Sequence, residues 1–111
     1  MKAFKLWFGG VQFKREDGLV LSVNMGFGGY NDNHMPPEFP EAATDVHYET
    51  NTVEMAVMDG NIEGRPFVTQ QYVTDYNAIH GMDLDSDDDV MGYVSAEDAF
   101  PFIAWFLAPN L

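Results

Sequence analysis

With 111 residues, 46% of them hydrophobic and 14% aromatic, the chain is long enough for a single domain with one core and too apolar for a disordered segment. It holds no cysteine, which excludes disulfides and thiolate metal sites, and its net charge of −13 disfavours direct contact with nucleic acid or an anionic membrane. No apolar run approaches the roughly 20 residues that span a bilayer. The run in "MKAFKLWFGG" is broken by Lys5, so a soluble cytoplasmic protein without a signal peptide is expected.

The first third reads as a β-meander. In "KAFKLWF", Phe4, Leu6 and Phe8 share one face with Lys5 and Trp7 opposite, and Gly9-Gly10 suits a two-residue hairpin turn or a bulge. "VQFK" alternates again, with Val11 and Phe13 inward. "REDG" is a turn signal, and "LVLSVNM" puts Leu19, Leu21, Val23 and Met25 on one face. Residues 26–43 carry Pro36, Pro37 and Pro40 among Gly, Asn and Asp, which reads as a long loop and a candidate contact surface. "DVHYE" and "TVEMAVM" read as strands whose parity changes at Thr50-Asn51. "DGNIEGRP" is rich in turn residues. "FVTQQYVT" is rich in β-branched and aromatic residues and reads as another strand, and "VMGYV" as a short last one.

One helix is expected, near the C-terminus. Ser95 with Asp98 three residues on resembles a cap, but Pro101 then falls beyond the first turn; a start at Asp98 removes that conflict. The helix runs to about Leu107. "AFPFIAWFLA" is apolar on every side, so its excess face either lies under the 26–43 loop or forms an oligomer interface through Phe102, Trp105 and Phe106, with a homodimer expected.

Charge is distributed unevenly. Lys2, Lys5, Lys14 and Arg15 occupy the first fifteen residues, which contain no acid; the remainder holds eighteen acids against Arg65 alone. Five of those acids, Asp83, Asp85, Asp87, Asp88 and Asp89, crowd into "MDLDSDDDVMGYV". The spacing Asp83, Asp85, Asp87 fits the first ligands of a calcium loop, but Asp88 stands where the turn needs glycine and Val94 where the bidentate glutamate belongs. In an extended segment Asp83, Asp85, Asp87 and Asp89 would point the same way about 6.6 Å apart, close to the phosphate repeat of a nucleic-acid strand. A plain solvated loop is the alternative.

Nothing in the sequence nominates an enzyme. His34, His47 and His80 are dispersed, no nucleotide or nucleophile motif occurs, and no cofactor or metal is implied. The fold expected is α+β: an antiparallel twisted sheet of about five or six strands with one C-terminal helix packed on it, as a single domain over residues 1–111. In charge logic the chain is similar to the small inhibitors that bacteriophages use to block restriction, CRISPR or repair enzymes. The function expected is therefore a non-enzymatic DNA-mimic inhibitor of a basic nucleic-acid-binding protein. Its surface is expected from Asp83, Asp85, Asp87, Asp88 and Asp89 with Glu54, Asp59, Glu63 and Asp75. An immunity protein for a basic nuclease toxin is the first alternative, and a small enzyme or calcium-binding module the second.

Overall fold

Five strands form, and the computed structural model shows how they pair; it describes residues 4–7, 9–26, 29–33 and 49–110. In chain order the elements are β1 (Phe4–Trp7), β2 (Gly10–Lys14), β3 (Leu19–Asn24), β4 (Thr52–Asp59), α1 (Thr69–His80), β5 (Met91–Ser95) and α2 (Ala96–Leu107). The strands form one antiparallel sheet in the order β1-β2-β3-β4-β5. The α+β class and the antiparallel sheet agree with the sequence. The single helix does not: the described residues form two.

Odd-numbered residues of the central strands face the helices. Phe13, Leu21 and Val57 lie side by side across β2, β3 and β4, as do Val11, Val23 and Met55. Leu21, Met55, Val57 and Met91 are fully buried, together with Phe102 and Phe106 of α2. Burying each such side chain stabilises the fold by about 1.5–3 kcal/mol. The turn geometry differs from expectation by one position. Gly10 already pairs with Trp7 as the first residue of β2, and Gly9, at φ 80°, takes the turn. The parity change at Thr50-Asn51 involves "DVHYE", which lies outside the described residues except for Glu49.

The second helix is the principal correction. "FVTQQYVT" is not a strand; only Phe67 bridges β4, at Met58, and Thr69–His80 is helical. Thr69, Val73 and Tyr76 are buried and Tyr72 is half-buried, which is a spacing of three and four residues along one helix face. Gly81 ends the helix in the left-handed conformation, φ 64°, with its N–H bonded to Asn77 O. Before the helix, the N–H of Asp59 donates to Pro66 O at 2.9 Å and that of Val68 to Val57 O at 2.8 Å. This short segment prolongs the sheet beside β4 where β5 has no pairing.

Thr69 ties these parts together. Its buried hydroxyl accepts the Val57 N–H at 2.9 Å and donates to Asp89 O at 2.7 Å. Thr69→Val keeps the shape and leaves the Val57 amide without that partner. The expected loss is about 1–3 kcal/mol, read as a lower urea midpoint at unchanged slope. A change of only a few tenths would mean that water takes over the hydroxyl's role.

α2 begins at Ala96, not Asp98. Ser95 Oγ accepts the Asp98 N–H at 3.3 Å, and Glu97 and Asp98 lie in the first turn at the positive end of the helix. Pro101 therefore sits inside the helix, in its second turn, on an exposed position. At the other end Arg15, from the β2–β3 turn, donates to Phe106 O at 2.9 Å and lies over the Phe106 ring at 5.1 Å. Among the described residues no helix is long and apolar enough to cross a membrane.

Candidate partner-binding site

The aspartate-rich stretch is held at both ends. At its start Asn77 grips Leu84: the Asn77 amide donates to Leu84 O at 2.9 Å, and the Leu84 N–H donates to Asn77 Oδ1 at 3.0 Å. Leu84 packs against the core, while its neighbours Asp83 and Asp85 are exposed. Ser86 is half-buried and Asp87 exposed, so the alternation expected of an extended segment holds from Asp83 to Asp87.

Beyond Asp87 it fails. Asp87 Oδ1 accepts the N–H groups of Asp89 and Val90 at 2.8 and 2.7 Å, and the Asp87 N–H donates to Val90 O at 3.0 Å, which folds Asp88 and Asp89 into a tight turn. Those two N–H bonds, with Val90 the larger contributor, hold the Asp87 carboxyl below its usual range. Asp89 is paired with Arg65 through bonds of 2.5, 2.6 and 3.0 Å. The expected row of four evenly spaced carboxylates is thus three, because a turn and an ion pair redirect Asp89. The Arg65 guanidinium is stabilised in turn, first by this hydrogen bond and then by the field of Asp89. Asp83, Asp85 and Asp88 make no ion pair among the described residues.

The other expected acids are placed as follows. Glu54 accepts the Tyr30 N–H at 2.7 Å, which binds β4 to the 29–33 segment. Asp59 is occupied by Asn61, whose backbone and side-chain N–H groups both reach its Oδ1. Glu63 is exposed in the turn that also carries Arg65, and Asp75 is exposed on α1, where no hydrogen bond or ion pair links it to the aspartate stretch. Glu54 thus ties β4 to a segment that borders the stretch, whereas neither Glu63 nor Asp75 makes an ion pair among the described residues. Of the 26–43 loop, residues 29–33 are described beyond Gly26. Asn31, fully buried, donates to Asn24 O and Gly26 O, and Asn33 donates to Met25 O and Glu49 O. Residues 34–43, with Glu38 and Glu41, and Asp45 beyond them lie outside the described residues.

Two tyrosines complete the site, and neither stood out in the sequence. Tyr93, in β5, donates its N–H to Tyr30 O at 2.7 Å. Both side chains remain about half exposed, at 53% and 51%. A side chain at Gly92 would meet Tyr30 Cβ at 3.1 Å, so glycine is what lets the 29–33 segment lie this close to β5. Tyr93 has φ 50°, the one non-glycine residue with positive φ among those described. Asp85, Asp87, Tyr30, Tyr93 and Gly92 line a recess of about 270 Å³. A second, of about 200 Å³, shares Asp85, Gly92 and Tyr93 with the first and is also lined by Asp83 and Asp98. Asp98, expected from the sequence only at the helix start, adds a third carboxylate there.

The backbone at Tyr93 yields a stability prediction. Tyr93→Gly removes the left-handed strain of a residue with a Cβ, and the variant is expected to be about 0.5–1 kcal/mol more stable. Urea unfolding of both proteins checks this; a destabilised variant would show that ring contacts outweigh the strain.

No group of three or more His, Asp or Glu among the described residues is disposed to hold a metal ion. Phe102 and Phe106, expected at an oligomer interface, have no exposed surface because α2 turns them into the core; Trp105 is half-buried against Tyr72 and Tyr76. The large apolar residues of the helices that stay exposed are Phe100, Leu107 and Ile79. Comparison with family models, with curated proteins and with solved structures finds no match to this chain.

Proposed function

We propose that this protein is a non-enzymatic acidic binding protein that occludes a basic nucleic-acid-binding surface of a target protein, in the manner of phage anti-restriction or anti-CRISPR inhibitors. The observation that carries the reading is the aspartate stretch: Asp83, Asp85 and Asp88 stay unpaired among the described residues, on a segment anchored at Leu84 and Asp89. A net charge of −13 exceeds what solubility asks of a small domain, roughly 2–8 in magnitude. A segment fixed in advance loses less entropy on binding than a mobile acidic tail. Association with a cationic face would be steered by opposite fields and weakened by salt.

Affinity capture at low salt, with mass spectrometry of the retained proteins, tests this reading. The expected capture is a protein with a basic nucleic-acid-binding face, released when duplex DNA or RNA is added. Retention of partners indifferent to added nucleic acid would contradict it. A captured toxin nuclease would assign the same surface to immunity instead.

A further inference from the structure

The recess between Tyr30 and Tyr93 has a composition that selects its occupant. It measures about 270 Å³ and is lined by Tyr30, Tyr93, Asp85, Asp87, Ser86 and Val90 with Gly92. That is at the lower limit of small-molecule pockets, about 300–1,000 Å³, and suits a single side chain. The half-exposed Tyr93 ring offers a negative π-face, and two exposed carboxylates offer negative charge. Asp87 stays ionised and accepts its two backbone N–H bonds on Oδ1, which leaves Oδ2 for a ligand. With no metal-holding group among the described residues, a monatomic cation has no cage here.

We infer that this recess is the seat for one arginine side chain of the basic partner, an inference that rests on the binding function proposed above. A guanidinium is planar and weakly hydrated; it can lie against a tyrosine ring while its N–H fork meets a carboxylate. An ammonium is a compact, strongly hydrated point charge and makes less use of the flat walls. The Tyr93 ring remains half exposed on this recess.

The probe is N-acetyl-arginine amide, titrated into the ¹⁵N-labelled full chain at low salt, with the neutral analogue N-acetyl-citrulline amide alongside. The expected result is saturable shifts of the Tyr30, Val90, Gly92 and Tyr93 amides with the arginine probe, and no saturable shifts with citrulline. Tyr93→Leu keeps bulk and removes the π-face. It should weaken the arginine probe by about two- to fivefold, with unchanged dispersion of the remaining amide signals. Equal response to citrulline, or unsaturable shifts spread equally over Glu63, Asp75 and Glu97, would overturn the inference. The two proposals fail separately. A basic partner that binds the acidic face equally well after Tyr93→Leu removes the arginine seat and leaves the inhibitor reading. Saturable arginine binding with no nucleic-acid-sensitive partner supports the seat and removes the inhibitor reading.

Discussion

Phe102→Ala is expected to destabilise the protein by about 3–5 kcal/mol. Phe102 has no exposed surface, touches Tyr76 edge-on with ring centroids 5.1 Å apart, and lies 5.7 Å from the Trp105 ring. Truncation removes apolar contact from α1 and α2 at once and leaves a cavity that two helices and a sheet cannot fully close. Domains of this kind have about 5–15 kcal/mol of stability in all, so the variant would lose a large part of it. Phe100→Ala is the control. Its side chain is 70% exposed on the same helix, and the change should stay within about 0.5 kcal/mol. Chemical denaturation of the three proteins, followed by near-ultraviolet circular dichroism, checks both. The pair also separates core from interface. If Phe102→Ala dissociated a dimer and left a well-folded monomer, the placement of α2 against the sheet would be wrong.

The second large effect concerns binding. Asp83, Asp85 and Asp88 can be changed to asparagine without touching the turn at Asp87 or the Arg65–Asp89 pair. The triple variant should therefore fold as the parent does. Against a basic partner its association rate should fall about tenfold or more at low salt, since steering by charge changes such rates by factors of about 10 to 1,000. The difference should shrink as salt rises from about 50 to 200 mM. Dissociation should change little if these aspartates lie at the rim of the contact, and more if they meet arginines away from water. Stopped-flow association at several salt concentrations measures this. Identical rates and salt slopes for the two proteins would reduce the stretch to a solvated loop.

Much of the sheet was legible because its signal is local. Alternation in "VQFK", "LVLSVNM" and "TVEMAVM" assigns β2, β3 and β4, and every odd position from Leu19 to Val23 turns inward as the pattern requires. α1 is hidden in the sequence because "FVTQQYVT" weighs toward a strand by composition, while its buried set of Thr69, Val73 and Tyr76 follows the helical period. Gly81, directly after His80, is the stop signal that the sequence carries for this helix. In α2 the reverse held. The helix was evident, but a sequence apolar on all sides cannot tell Phe102 from Phe100, and only packing assigns one to the core and the other to solvent.

The candidate site was half legible. The density of aspartates is plain in the sequence, and Asp83, Asp85 and Asp87 alternate outward as expected. The fate of Asp89 was not readable, because Arg65 lies 24 residues away and the ion pair exists only once the turn and β5 are in place. Tyr30 and Tyr93 are separated by 63 positions and meet through one backbone hydrogen bond. An isolated tyrosine in a sequence carries no sign of positive φ or of half exposure.

The central claim is that this protein and nucleic acid compete for one basic surface. Fluorescence anisotropy of a labelled duplex bound to the captured partner measures it directly. Adding the protein should return the anisotropy to that of free duplex, with a midpoint that moves up in proportion to the partner concentration once binding is tight. The Asp83, Asp85, Asp88 triple variant should require a higher concentration. An anisotropy that stays constant or rises on addition would mean a ternary complex, and would contradict the account.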